Sequence, residues 1–428
     1  MKIHPLFTSL LNFKGNARGC IYPEPLNGIP YNLYIPYVSI YMIALGVSDS
    51  KIGLIVSISW AFQLVLALFS GLITDKLGRR RTTLVFDLIS WTVPALISAL
   101  AQNYWFFLGA GIINSFMRVS QNSWMCLMVE DAEPSQLIDI FSWIYIAGLL
   151  SAFFAPFAGL MIRWLALVPT MRILYLFAAA CFAVKGIITY KMTGETQQGL
   201  MRMQETKKTS LVASLGEYKG VLREVLRTPR TLYTAGIMVI MSICMMVNGT
   251  FWSILATEKL QIPAQNIAIF TFAKSVVMLL FFFIVIPHMS AIHFKVPLML
   301  GFAGFTISQL VLVIAPINGY GLLIFSNLLE ACSIATVNPL VEQMAVLTIN
   351  PKERARIQSI LCVGIILITA PFGWIAGILS GLDKSLPFIL NMLLFLIGGI
   401  LAYLAGATPS KNHDIKEILI NLPEGNSG

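Results

Sequence analysis

Twelve stretches of 19 to 28 residues along this chain are predominantly apolar: 27–45, 52–70, 82–100, 105–129, 137–162, 171–190, 232–256, 264–287, 296–315, 320–347, 357–380 and 386–405. About 20 apolar residues suffice for a helix to cross the hydrocarbon core of a bilayer. Within that core only elements that satisfy their own backbone hydrogen bonds persist, which for runs of this length means helices. Only 11% of the residues are charged and 57% are hydrophobic, whereas soluble domains carry about 25% charge. The expected fold is an all-α membrane protein with twelve transmembrane helices, called spans 1 to 12 below.

Charge sets the orientation. Of 29 Lys and Arg, 21 fall in the tails and loops of one face and five on the other, with Arg118, Lys185 and Lys274 inside spans. An excess of cations in short loops marks the cytoplasmic side, so both termini are expected there, in the plasma membrane of the cell. The net charge of +9 then reads as an orientation signal and as attraction to anionic lipid of the bilayer; no basic-aromatic pattern for nucleic acid accompanies it. The N-terminal stretch lacks a continuous apolar core with a small-residue cleavage site, so the first span is expected to start insertion itself.

The organisation follows from the longest polar interruption. Residues 1–26 form a cytoplasmic arm, 27–190 a first group of six spans, 191–231 a basic linker, 232–406 a second group of six, and 407–428 a tail. Leu211, Leu215, Leu222 and Leu226 interleave with Lys219, Arg223 and Arg227 in the linker, the pattern of an amphipathic interfacial helix. Glu133-Pro134-Ser135 with Ala155-Pro156-Phe157-Ala158-Gly159 recurs half a chain later as Asn350-Pro351-Lys352 with Ala370-Pro371-Phe372-Gly373. That is an internal repeat of one half by the other. Small residues recur at intervals of four in span 5 (Ala147, Ser151, Ala155, Gly159) and span 11 (Gly373, Gly377, Gly381), where they let helices approach closely. Pro156 and Pro371 are expected to bend those helices.

Between spans 2 and 3 runs Gly71-Leu72-Ile73-Thr74-Asp75-Lys76-Leu77-Gly78-Arg79-Arg80-Arg81, read as a tight loop. Its spacing, Gly-x-x-x-Asp-(Arg/Lys)-x-Gly-Arg-(Arg/Lys), resembles the loop between helices 2 and 3 of the major facilitator superfamily of secondary transporters. The resemblance implies two six-helix bundles related by an axis along the membrane normal, with a substrate site between them at mid-depth. It also implies a gating role for Gly71, Asp75, Gly78, Arg79 and Arg80: Asp75 caps the start of span 11 after Lys352-Glu353-Arg354, and Arg79 lies near Glu130 and Asp131. The corresponding segment of the second half, 288–296, has lost the pattern.

Ionisable groups at mid-bilayer cost at least about 2.5 to 3.5 kcal/mol on insertion scales and are functional candidates by default. Arg118, Lys274 and Glu330 are central, whereas Lys185, Asp87, Asp139 and Glu342 lie nearer span ends and are expected to snorkel. Glu330 with Lys274 is readable as a structural ion pair or as a coupling site. Arg118-Val119-Ser120-Gln121-Asn122 resembles the Arg-x-x-(Gln)-Gly motif of helix 4 in proton-coupled members, with Asn122 in place of glycine. Glu330 is the central acid able to take up and release a proton. Polar and aromatic residues at similar depth extend the list of cavity candidates: Asn32, Tyr34, Tyr37, Gln63, Gln121, Asn248, Trp252, Asn327 and Asn338.

These residues point to a monomeric secondary transporter of a small polar solute, a sugar or a small organic anion, coupled to protons. A drug/proton antiporter is the alternative; 27 Phe and 19 Met permit it, but span 5 keeps only a fragment of the antiporter pattern Gly-Pro-x-x-Gly-Gly. An enzyme is disfavoured because His4, His288, His293 and His413 lie in tails or one loop, and no metal, nucleophile or phosphate-loop motif is visible. No cofactor is implied. The six cysteines show no paired spacing and are expected to be free thiols.

Overall fold

The structure, a computed structural model, describes residues 13–133, 136–206, 229–284, 295–348 and 354–407, and among them there is no strand. Helix α1 (Gly15–Ile21) precedes the spans. Span 1 is α2 (Pro25–Tyr34), a 3-10 turn at Ile35–Tyr37 and α3 (Val38–Ala44), and span 2 is α4 (Asp49–Leu77). Span 3 is α5 (Arg79–Asp87), a π turn at Leu88–Thr92 and α6 (Val93–Ala99), and span 4 is α7 (Tyr104–Asn114) and α8 (Met117–Val129). Span 5 is α9 (Leu137–Ser151), a 3-10 turn at Ala152–Phe154 and α10 (Ala155–Leu165), span 6 is α11 (Leu167–Met192), and α12 (Gln197–Glu205) follows. In the second half come α13 (Pro229–Ile254), α14 (Ile267–Ile284), α15 (Lys295–Ile314), α16 (Tyr320–Thr348), α17 (Arg354–Leu382) and α18 (Leu386–Ala407).

Ten helical segments among the described residues are long and apolar enough to cross a membrane. Spans 1 and 4 are helical but broken, at Ile35–Tyr37 and at Ser115–Phe116, so neither presents one helix of spanning length. Large apolar side chains stand outward, Trp164 and Leu382 at 78% and 75% exposure. Such a surface is stable against lipid rather than water.

Prolines account for the irregular turns. A proline offers no N–H to the carbonyl four residues before it, and the backbone tightens or widens there. Pro156 follows the 3-10 turn Ala152–Phe154 in this way. Pro94 leaves the Ser90 carbonyl of the π turn without its helical partner, and the Asn114 amide of α7 donates to it at 2.8 Å. The basic segment also differs from the sequence reading. Residues 71–77 continue α4 as helix, Gly71 faces open space, and the loop shrinks to Gly78 at φ +83°. The hydrogen bonds of a continuing helix outweigh the freedom of one glycine; a left-handed angle is needed only at Gly78.

The halves meet along α4 against α17 and α10 against α14. On the face opposite the basic loop this seam is tight. A Cβ at Gly53 would sit 2.3 Å from the Gly373 carbonyl oxygen and 2.8 Å from Gly377 Cα, and one at Gly159 would sit 2.2 Å from the Gln265 carbonyl oxygen. Ser57 enters the backbone ladder of α17 just after Pro371: its hydroxyl donates to the Ala370 carbonyl at 2.6 Å and accepts from the Trp374 N–H at 2.7 Å. A side chain inserted at that step fixes a bend. The buried Asp49 carboxylate accepts from Ser380 Oγ at 2.5 Å and from Lys384 Nζ at 2.7 Å, tying the start of α4 to the end of α17. Of the small-residue series, Gly159, Gly373 and Gly377 serve this seam, Ser151 packs on Gly28 within the first half, and Gly381 meets nothing.

Several sequence expectations lie outside the described residues: the amphipathic stretch 211–226, the repeat prolines Pro134 and Pro351, segment 288–294, the tail and the histidines.

Candidate functional site

A cavity of about 360 Å³ opens between span 1 and the second half, lined by Ile35 and Pro36, by α13, α14 and α16. The helical repeat brings Asn248 and Trp252, one turn apart on α13, to face Lys274 of α14 and Glu330 of α16. Lys274 Nζ donates to Glu330 Oε1 at 2.9 Å, and Asn248 Nδ2 donates to the same oxygen at 3.0 Å. Asn391 of α18 donates to Asn248 Oδ1 at 2.9 Å, orienting that amide. The Asn327 amide closes on the Phe270 carbonyl at 2.7 Å. Trp252 meets Phe270 edge-on with ring centroids 5.2 Å apart, and Phe270 stacks on Tyr320.

The pair is asymmetric. The Glu330 side chain is 4% exposed and the Lys274 side chain 26%, so of two residues that both line the cavity the lysine is the more accessible and the glutamate the more buried. Lone buried charges cost several kcal/mol, whereas a matched and hydrogen-bonded pair is tolerated. The site can therefore exchange one partner for another of the same sign but cannot lose a partner.

The other candidates fall elsewhere. Arg118 does not line this cavity: its Nε donates to Gln63 Oε1 at 2.9 Å and its guanidinium lies 5.9 Å from the Trp60 ring, between spans 4 and 2. Depth along a span is legible in the sequence, but the side it faces depends on packing. Asn122, in the motif's glycine position, donates to Thr74 Oγ1 at 3.2 Å. Asn32 bonds the Gly28 carbonyl of its own helix, Tyr37 is fully buried, and Gln121 and Asn338 are exposed outside the cavity lining. Tyr34 packs against Tyr175 within the first half.

A second cluster forms around the basic segment. The Arg79 guanidinium donates to both oxygens of Glu130 at 3.0 to 3.1 Å and to Asp75 Oδ1 at 2.8 Å. Asp131 is not part of it: it accepts from Asn16 and from the Gln197 N–H instead. The predicted cap of Asp75 on residues 352–354 lies outside the described side chains. Arg80 lies 3.9 Å over the Tyr190 ring.

The linker residue Glu195 supplies what the sequence did not reveal. Its carboxylate accepts from the N–H of Arg79 at 2.7 Å and of Arg80 at 3.1 Å, capping α5 where unpaired amides and the helix dipole favour negative charge. Thr196 beside it caps α12 by accepting from the Gly199 N–H, and its hydroxyl donates to Glu130 Oε2. A Cβ on Gly78 would lie 2.6 Å from Glu195 Oε2, a second reason for glycine there. Glu195→Ala is expected to cost about 1 to 2 kcal/mol, read as a lower unfolding temperature of the purified protein. Glu205→Ala, whose pair with Arg202 is exposed, should leave that temperature unchanged. Equal effects would remove Glu195 from the cap.

Lys185 and Asp87, expected to snorkel, instead form a buried pair at 2.9 Å. Each could reach the interface from its own helix, but α5 and α11 pack together and match the charges inside. The Asp49–Lys384 contact carried no sequence signal beyond a charge at each span end. Asn391 had one, a lone amide within the apolar run 386–405.

Comparison with known proteins places these features in context. The family description "Major Facilitator Superfamily" matches residues 26–290. An uncharacterised MFS-type transporter, YqjV of Bacillus subtilis (strain 168), is 27% identical over 131 residues, 30% of this chain and 32% of that protein. Multidrug resistance protein MdtG of Citrobacter koseri is 25% identical over 225 residues, 50% of this chain and 52% of that one. The aligned stretches thus span from a third to half of these curated relatives. The crystal structure of the nucleoside transporter NupG superposes with a TM-score of 0.68 over 92% of this chain and all of its own, at 14% identity; that likeness is one of fold.

Proposed function

We propose a transport cycle for this chain, which belongs to the Major Facilitator Superfamily: proton-coupled symport of a small organic anion through the cavity between the halves. The observation that carries this reading is the Lys274–Glu330 pair on the cavity wall, with the lysine the more accessible partner and the glutamate the buried one. In the empty carrier the pair is neutral. An anion that takes Lys274 leaves Glu330 as an unpaired buried carboxylate, at a cost of several kcal/mol, unless Glu330 takes a proton. Anion and proton then load together, and the site is neutral again. Empty and loaded carriers both reorient without moving net charge through the apolar core, while the half-loaded forms pay the desolvation penalty.

Size and lining limit the solute. About 360 Å³ is roughly a dozen water volumes. Asn248 and Asn327 offer amides, and Trp252 and Phe270 offer ring edges for an apolar portion. A neutral sugar would use the amides and rings but leave Lys274 without a role. The partial likeness to MdtG favours drug/proton antiport as a second reading. Against it stands the sign of the exposed charge, which repels the cationic amphiphiles such exporters of lipophilic cations must hold.

The basic loops support an orientation with the arm, linker and tail in the cytoplasm, so the tight seam at Gly53, Ser57 and Asp49 faces outward. We read the protein as a plasma-membrane monomer that works by rocking its halves about this cavity. In proteoliposomes, labelled small carboxylates are expected to accumulate when the entry side is made acidic, while neutral sugars and lipophilic cations are not. Accumulation of sugars alone, or extrusion of a lipophilic dye, would replace this substrate class.

A further inference from the structure

Away from that cavity, the first half gathers three ionisable side chains that transport through Lys274 and Glu330 does not use: Lys185 and Asp87, both buried, and Glu24, half-buried with its Oε2 shielded from solvent. Lys185 Nζ donates to Asp87 Oδ2 at 2.9 Å, with side chains 8% and 5% exposed, and Ser120 donates to Asp87 Oδ1. Lys185 also lies 5.6 Å over the Trp124 ring. Its charge is therefore matched one to one by Asp87. Glu24, the last residue before α2, is the third member. Among the described residues its Oε1 accepts a long bond of 3.3 Å from Asn27, and its Oε2 is buried without a hydrogen-bond partner.

Helix α1 holds Glu24 in place. Ala17, Cys20 and Ile21 pack into an apolar cluster with Leu127, Met128, Ile140 and Trp143. Gly19 sits so close to Met192 and Thr193 that a Cβ would meet Thr193 at 2.5 Å. Asn16 bridges Asp131 and the Gly194 N–H. The titratable and charged groups facing Glu24 are Lys185 from α11, Asp87 from α5 and the Cys20 thiol of α1 itself; the α8 residues Ser120 and Trp124, both neutral, contact Asp87 and Lys185 respectively.

We infer that Glu24 is a proton-binding site in the first half, distinct from Glu330, and that it carries its proton at neutral pH while Asp87 keeps Lys185. Two carboxylates beside one ammonium leave a surplus negative charge, and that charge would fall on an oxygen without a donor. An ionised carboxylate in that position costs more than a neutral acid lacking one hydrogen bond. Burial accordingly pushes the Glu24 carboxyl above the usual range, and the nearby Lys185 offsets this only in part. Losing the proton puts a charge between α1 and the bundle.

The test is infrared difference spectroscopy of the full-length protein in lipid vesicles, titrated from about pH 5 to about pH 9. Wild type is expected to show the carbonyl stretch of a protonated carboxyl at neutral pH, sensitive to deuterium exchange, and Glu24→Gln to lose that component while Glu330→Gln keeps it. Asp87→Asn frees Lys185 for Glu24, so the midpoint of the band should fall by at least about one pH unit, a tenfold weaker hold on the proton. A wild-type spectrum without any protonated carboxyl at neutral pH would overturn the assignment with no variant needed. So would a Glu24→Gln spectrum identical to wild type, or an unmoved midpoint in Asp87→Asn.

Discussion

Glu330→Gln is expected to abolish pH-driven accumulation while leaving exchange of internal for external solute. A gradient of one pH unit supplies about 1.4 kcal/mol per proton, so wild type should concentrate its anion about tenfold and the variant not at all. Glutamine keeps the shape and accepts from Asn248 at the same oxygen position, but it has no charge to return to Lys274. The anion still binds the ammonium, and the loaded carrier, neutral without any proton, still reorients. The empty carrier now holds an unpaired buried cation and reorients slowly. Net flux therefore fails and one-for-one exchange survives. Lys274→Met should lose both, since no cation remains for the solute. Equal loss of exchange and accumulation in Glu330→Gln would make Glu330 a structural partner of Lys274 only.

Gly53→Val should act as strongly at the seam between the halves. Its Cβ would meet a carbonyl oxygen at 2.3 Å and a Cα at 2.8 Å, both backbone of α17, with no flexible side chain to move aside. Overpacking of this kind costs about 1 to 3 kcal/mol, and if the closed seam bears that cost the population open on that side rises about five- to a hundredfold. Ser380, 1% exposed beside Asp49, reports the change. In a cysteine-free background, Ser380→Cys should react slowly with an impermeant maleimide, and adding Gly53→Val should speed labelling at least about fivefold. Unchanged labelling would mean that α4 and α17 do not separate during the cycle.

Where the apolar helices lie along the chain is legible in the sequence, and the side each presents to its neighbours is not. Run lengths and cations give each segment an expected depth, because hydrophobic thickness and loop charge are properties of one segment at a time. Lys274, Glu330, Asn248, Trp252 and Asn327 were candidates by depth and do line one cavity. Arg118, Gln63 and Tyr37 are expected equally deep, yet they do not line it: Arg118 pairs with Gln63 between spans 4 and 2, and Tyr37 is buried beside the Gly159 seam. Which way a side chain faces is decided by the helix packed against it. The same limit explains Lys185 and Asp87: only the contact of α5 with α11 makes their burial affordable. Gly53 is one small residue in a long helix, and its meaning appears only when α17 lies across it. The motif's spacing places Gly71 in a loop, whereas within 71–81 the backbone takes a left-handed angle at Gly78 alone.

The central claim is that solute binding to Lys274 and protonation of Glu330 are one event, and proton counting in weakly buffered solution tests it most directly. Adding a transported carboxylate to the purified protein, at a pH where Glu330 is ionised when unliganded, should draw about one proton per site from the medium, as reciprocal linkage between two ligands requires. Glu330→Gln should bind the same carboxylate and draw none. Binding without proton uptake in the wild type, or the same uptake in the variant, would contradict the account.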